Sequence, residues 1–145
     1  MLVSTLLSML ATIAFAVLNQ VPKKAILPSG LLGMVAWLFL NGALKNGANE
    51  IEANFLASLV VSLFSEAFAR HYRMPVTVFA VPGIIVLVPG MDAYFAMRDF
   101  VTRHYLNGMS MATETVLIAG AISTGLVIAG VLMRSIWRPR KNGTG

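Results

Sequence analysis

Long apolar runs separated by short polar clusters set the pattern of this chain. Residues 1–22 contain no charged side chain and close at Pro22, just ahead of Lys23 and Lys24. About 20 such residues make a helix long enough to cross a bilayer, so the pattern predicts a first membrane helix. A second run, 25–44, carries Pro28 near its start, where proline suits a first helical turn, and ends in a polar loop, 45–54. A third, 55–69, contains one acid, Glu66, and stops at Arg70-His71-Tyr72-Arg73. The fourth, 75–90, is short and carries two Pro-Gly pairs, Pro82-Gly83 and Pro89-Gly90. Proline removes a backbone donor and clashes with the preceding turn, so an unbroken helix through Pro82 is not expected. Residues 91–107 read as an amphipathic helix, and a last clean run, 115–133, precedes Arg134, Arg138, Arg140 and Lys141. The pattern therefore predicts an all-α, polytopic membrane bundle. It has about five hydrophobic segments in a single transmembrane domain, 1–141, with a polar tail at 142–145.

Composition narrows the function classes. Of 145 residues, 57% are hydrophobic and 12% charged, about half the charged fraction of an ordinary soluble chain. No cysteine is present, which excludes disulfides and thiolate chemistry. His71 and His104 alone cannot build a zinc site, so neither a metal nor another cofactor is expected. The net charge of +5 does not form one basic face, so a nucleic-acid partner is not expected either; the basic residues flank apolar segments and record topology. With five crossings and an outside N-terminus, Lys23, Lys24, Arg70, Arg73, Arg134, Arg138, Arg140 and Lys141 lie inside, 8 of the 11 basic residues. The positive-inside rule thus favours N-out, C-in. A re-entrant 75–90 would leave four spans and place the basic C-terminus outside. Ala14-Phe15-Ala16 resembles a leader-cleavage site, but a leader has basic residues ahead of its apolar core, so a retained span is expected.

Candidate chemistry sits on a few faces. In the third run, helical steps of about 100° gather Asn54, Ser58, Ser62, Ser65, Glu66 and Ala69 into one sector. Such a stripe turns away from lipid, toward a neighbouring helix or a wet cavity. A carboxylate within a span is a functional suspect by default; the alternative is an interfacial Glu66 paired with Arg70 at i+4. Small residues at four-residue spacing recur at Ser4, Ser8, Thr12 and Ala16, at Ser29 and Gly33, and at Ala121, Gly125 and Ala129, as packing seams do. In 91–107 the wheel puts Ala93, Tyr94, Met97, Phe100, Val101, His104 and Tyr105 on one side, with Asp92, Asp99, Thr102 and Arg103 opposite. Asp99 and Arg103 are expected to form an i, i+4 surface pair, and His104 to pack as a neutral imidazole. A helix broken inside a bilayer frees amides and carbonyls that transporters use to hold substrate groups. The backbone around Pro82-Gly83 and Pro89-Gly90 is thus a candidate carboxylate site; the alternative is a kink with no ligand. No nucleophile–base pair or phosphate-cradling glycine loop points to an enzyme.

Val81-Pro82-Gly83-Ile84-Ile85, followed by Leu87-Val88-Pro89-Gly90, Tyr94 and Met97, resembles the signature of the threonine/serine exporter (ThrE-like) family. The whole chain is similar to its short stand-alone form, the YjjB-type small subunit. Further matching positions are Asn19-Gln20-Val21-Pro22-Lys23-Lys24-Ala25, Leu31-Leu32-Gly33 and Phe55 to Val61, and the likeness runs from about Phe15 to Val101. The resemblance implies an inner-membrane export component acting with a larger, YjjP-like membrane subunit on threonine, serine or a dicarboxylate such as succinate. Its site would be Pro82, Gly83, Pro89, Gly90 and Tyr94, with Glu66 or Asp92 as proton or charge carriers. The chain departs from many relatives at Val86, where they have proline, and at Asp92, where a small or neutral residue is common. A homo-oligomer, and a non-transporting scaffold for a larger transporter, are the competing readings.

Overall fold

The structure, a computed structural model, describes residues 2–136. The helices are α1 (Leu2–Leu18), α2 (Lys23–Lys45), α3 (Glu50–Tyr72), α4 (Thr77–Ile84), α5 (Gly90–Val101) and α6 (Tyr105–Ile136), with a 3-10 turn, Ile85–Leu87, after α4. The chain is a polytopic helical bundle. Helices α2, α3 and α6 are long and apolar enough to cross a membrane; α4 with its 3-10 turn and α5 form a further pair bent by 52°. At 17 residues, α1 stands at the short end of the spanning range.

Local chemistry explains the boundaries. The α3 start is a capping box: the Asn49 side chain accepts from the Glu52 N–H at 2.9 Å, and the Asn49 N–H donates to the Glu52 carboxylate at 3.3 Å. Such a cap contributes about 1 kcal/mol, enough to begin the helix five residues ahead of the apolar run. Helix α2 starts at Lys23, so Pro28 is an interior residue and not a first-turn one; the carbonyl of Lys24 is thereby left without its helical donor.

Helices α1 and α2, and α2 and α3, pack as neighbours. The small-residue seam predicted on α1 is buried at Ser8, Thr12 and Ala16, and it meets the buried Gly33 of α2 so closely that a β-carbon there would overlap the Thr12 side chain. Helix α6 lies against α3 and parallel to it: Ser62 Oγ donates to Leu126 O at 3.1 Å, and Arg70 Nη2 donates to Met133 O at 3.1 Å. Two apolar clusters fill the bundle. One joins Ala36, Ala57, Val61, Leu87, Ile118 and Ile122; the other joins Ala25, Leu32, Ala69 and Phe79.

Three features go beyond or against the sequence reading. Helix α4 runs through Pro82 to Ile84, so the break falls later, where Val88 is extended and Pro89 precedes α5. The reason is packing: Phe79, Pro82 and Gly83 are buried, and the Val78 carbonyl that Pro82 leaves without a helical donor lies 3.5 Å from Ser29 Oγ. Second, α5 is turned inside out relative to a soluble amphipathic helix. Its buried residues are Ala96 and Asp99, while Met91, Tyr94, Met97 and Val101 are exposed, as lipid or a partner helix requires. Third, Asp99 pairs with Arg98 at 3.1 Å, not with Arg103; Arg103 has left-handed backbone just past the helix end. His104 is exposed, with Nδ1 3.1 Å from Thr102 Oγ1, and is not packed on an apolar face. Arg138, Arg140, Lys141 and the tail 142–145 lie outside the described residues.

Candidate functional site

The predicted polar face of α3 is buried along its length: Asn54, Ser58, Ser62, Ser65 and Glu66 are all interior. Much of it faces α6. Ser62 bonds Leu126 O, and the seam at Ser58 requires Gly125, whose added β-carbon would overlap Ser58 Oγ and stand 2.9 Å from Phe55 O. Of the α6 seam, Gly125 and Ala129 are buried, with Ile118 and Ile122 completing it. The serine stripe is therefore to a large part a helix–helix joint. Three of its polar atoms are buried with no hydrogen-bond partner among the described residues: Asn54 Oδ1, Ser65 Oγ and Glu66 Oε1.

Glu66 is 4% exposed and lies between two guanidinium groups. Oε2 is 3.8 Å from Arg70 Nη2, the i+4 pair expected from the sequence, and Oε1 is 3.7 Å from Arg134 Nε. The second partner joins α3 to the far end of α6, a contact that sequence spacing gave no means of finding. Arg134 is largely exposed, so its half of the clasp is the weaker one.

Pro82 and Gly83 occupy a different face of α3. A β-carbon at Gly83 would lie 3.0 Å from Val61 Cγ1 and 3.3 Å from Leu32 Cβ, and Val61 is about 140° around α3 from Glu66. The structure thus brings Pro82 and Gly83 into the α2–α3–α4 core and Glu66 into the α3–α6 joint, on separate sides of one helix. Pro89 is half-buried, and Gly90 is exposed. Tyr94 is 61% exposed, and Asp92, half-buried, lies in the first turn of α5. Beyond the break, α5 packs mainly against α6, with Gly108 close to Ala96 O and the Phe100 ring. The first N–H groups of α5 bond only locally, Gly90 to Val88 O at 2.8 Å and Ala93 to Pro89 O at 3.2 Å.

Pro82 has a second neighbourhood that the sequence did not disclose. A recess of about 250 Å³ lies between the α1–α2 turn, Asn19, Gln20, Val21 and Pro22, and the start of α4, Thr77, Val78, Val81 and Pro82. It opens at the end of the bundle that carries Lys23, Lys24, Arg70, Arg73 and Arg134. No cluster of three or more His, Asp or Glu fit for a metal ion occurs among the described residues.

These features lie within one continuous likeness. The family model described as threonine/serine exporter, ThrE, matches residues 4–132, from the first turns of α1 to near the end of α6. The chain belongs to the threonine/serine exporter family. The match extends beyond the stretch legible from motifs, taking in the Gly125 seam as well as the Pro-Gly block. No solved structure matches the chain. The family is a transporter class rather than an enzyme class, and the chain is a multi-pass membrane protein in a membrane lipid environment.

Proposed function

We propose that the chain is the small membrane subunit of a two-component exporter. It moves a small carboxylate-bearing metabolite, a threonine- or serine-like amino acid or a dicarboxylate such as succinate, outward across the inner membrane. It sits N-out, C-in, with a larger YjjP-like membrane subunit beside it. The observation that carries this reading is the break between α4 and α5, which opens on the outside of this chain's own bundle. Pro89 is half-buried, Gly90 and Tyr94 are exposed, and α5 leans on α6 with its apolar side uncovered. At membrane depth, irregular backbone is tolerated only against protein or a wet cavity, so a second subunit would cover this surface and enclose a site there. Pro82 and Gly83 hold the approach from inside the bundle; Pro89, Gly90 and Tyr94 present the backbone and hydroxyl groups to the substrate. Asp92, two residues beyond Gly90, is placed for proton or charge coupling at the break. Glu66, behind α3, would act through the position of α6.

The test is efflux of labelled threonine and labelled succinate from cells expressing both subunits. Wild type is compared with Pro82→Ala, Pro89→Ala, Asp92→Asn and Glu66→Gln, at matched membrane levels. Loss of efflux in the proline variants is expected, and unchanged efflux in all four overturns the reading. One observation favours the scaffold alternative: much of the α3 polar stripe is engaged in the joint with α6. Full transport by the larger subunit alone would decide for that alternative.

A further inference from the structure

The recess beside Pro82 combines features that the packing of the bundle does not require. Helix α1 ends in a pair of backbone bonds, Val21 N–H to Ala16 O and Gln20 N–H to Val17 O, each 3.0 Å. This is the Schellman arrangement, in which the residue at the Gln20 position takes left-handed backbone and is usually glycine. Here φ at Gln20 is +54°. The same left-handed backbone closes α3 at Arg73 and follows α5 at Arg103, so what distinguishes Gln20 is its place on the wall of the recess. Gln20 lines the recess beside Asn19, whose Nδ2 donates to Phe15 O at 2.9 Å, and Thr77 lines the other wall; all three residues are exposed.

The charge around the recess has one sign. Lys23 and Lys24 follow its wall directly and are exposed. Arg70 and Arg73 close α3 just before α4 begins, and Arg134 lies in the last turn of α6 at the same end of the bundle, beside Glu66 on the far side of α3. Among the described residues the acid at this end is Glu66, which is buried between Arg70 and Arg134. None of the residues lining the recess is acidic. A cleft whose uncharged walls carry three polar residues among eight, with a cationic rim, draws anions in and raises their local concentration. About 250 Å³ is below the ~300–1,000 Å³ of sites that hold drug-sized ligands, which suits a metabolite of few heavy atoms.

We infer that this recess is a binding site for a small carboxylate, the loading site on the basic side of the bundle. Gln20, Asn19 and Thr77 supply the hydrogen bonds, and Lys23 and Lys24 supply the attraction. The inference rests on the exporter reading for its ligand class. The site is separate from the α4–α5 break, and Pro82 lies between them on the wall.

Gln20→Gly separates binding from folding, because glycine relieves the left-handed strain while deleting the amide. The full chain in phosphatidylcholine nanodiscs is titrated with sodium succinate, L-threonine and inorganic phosphate, following heat or the protection of a cysteine placed at Val81 from alkylation. Expected is saturable binding of succinate or threonine. It weakens about tenfold in Gln20→Gly and in the near-isosteric Thr77→Val, and falls with added salt in wild type but less so in Lys23→Gln/Lys24→Gln. Gln20→Gly is expected to unfold at the same temperature as wild type or higher. Equal affinity in Gln20→Gly, Thr77→Val and wild type overturns the site, as does phosphate binding as tightly as the carboxylates. Absence of binding in a chain on which cellular efflux still depends removes the recess and leaves the exporter reading standing. Absence of both removes both.

Discussion

Substituting alanine at two glycines of one helix separates packing from backbone propensity. Gly125 and Gly120 both lie within α6. At Gly120 an added β-carbon meets nothing within 4 Å, whereas at Gly125 it overlaps Ser58 Oγ and lies 2.9 Å from Phe55 O and 3.3 Å from Leu59 N. Alanine favours a helix over glycine by up to about 1 kcal/mol, and that gain is common to both variants, so it cancels in their difference. What remains is the overpacking at the α3–α6 joint. Two of the three atoms involved are α3 backbone, which cannot rotate away, so the helices must part; an added methyl in a packed joint costs about 1–3 kcal/mol. The gap between Gly125→Ala and Gly120→Ala should therefore be roughly 5- to 150-fold in the unfolding equilibrium constant, with Gly120→Ala no less stable than wild type. Far-UV circular dichroism in mixed detergent–SDS micelles measures it. Adding Ser58→Ala to Gly125→Ala should restore only part of the loss, because Phe55 O stays in place. Equal stability of the two single variants would refute the close approach of α3 and α6.

Further outcomes follow from other contacts. Arg134→Gln, at a largely exposed partner of Glu66, should lower stability by less than about 0.5 kcal/mol. Arg70→Gln, which loses both the Glu66 pair and the bond to Met133 O, should lower it by about 1–2 kcal/mol; the reverse order in the same micelle titration would contradict the clasp. Pro82→Ala returns an N–H to the Val78 carbonyl, a gain of up to about 3 kcal/mol in a helix interior, but it also removes part of a fully buried ring and leaves a cavity that offsets that gain, so the variant should melt close to wild type while efflux falls. A lower melting temperature would mean that the proline ring is needed for packing. Because the chain has no cysteine, single cysteines can report sidedness to a membrane-impermeant maleimide. Lys24→Cys and Arg73→Cys should label from one side, and Ala48→Cys and Arg103→Cys from the other; Arg103 labelling with Arg73 would show that α4 and α5 turn back together.

The spacing of small residues gave much of the packing, because a four-residue step on a helix is a geometric fact before any partner is known. Ser8, Thr12 and Ala16 on α1, and Gly125 and Ala129 on α6, are buried as that spacing requires. Glu66 and Arg70 were legible for the same reason. Arg134 was not, because its approach depends on α6 lying parallel to α3, which no local pattern encodes. Pro82 misled for a physical reason: a proline removes one helical bond, and burial of its ring beside Phe79 and Gly83 outweighs that loss. The recess was hidden because its walls come from turns some 57 residues apart, Gln20 and Thr77. The local signal was faint as well, a pair of amides at the end of an apolar run.

The inversion of α5 has the widest consequence. A wheel shows which residues share a face, but which face points inward depends on the solvent. In water the Tyr94–Met97–Val101 side would seek the core. In this bundle it is exposed, and Asp99, with Arg98 as its partner, lies against the protein. A 32-residue α6 is about 48 Å long, well beyond the ~30 Å hydrocarbon core, so its first turns, with α5 alongside, reach past the membrane on the side opposite the basic end. The exposed apolar face of α5 therefore runs from the break at Pro89 toward an interfacial zone. The Gly90 N–H is already bonded to Val88 O at 2.8 Å, so what this face leaves uncovered is apolar side-chain surface rather than unpaired backbone, and lipid or the proposed second subunit would cover it. Under the proposed two-subunit reading the contact surface is this strip of Met91, Tyr94, Met97 and Val101, and its place is set by the position of the break rather than by how apolar the chain is.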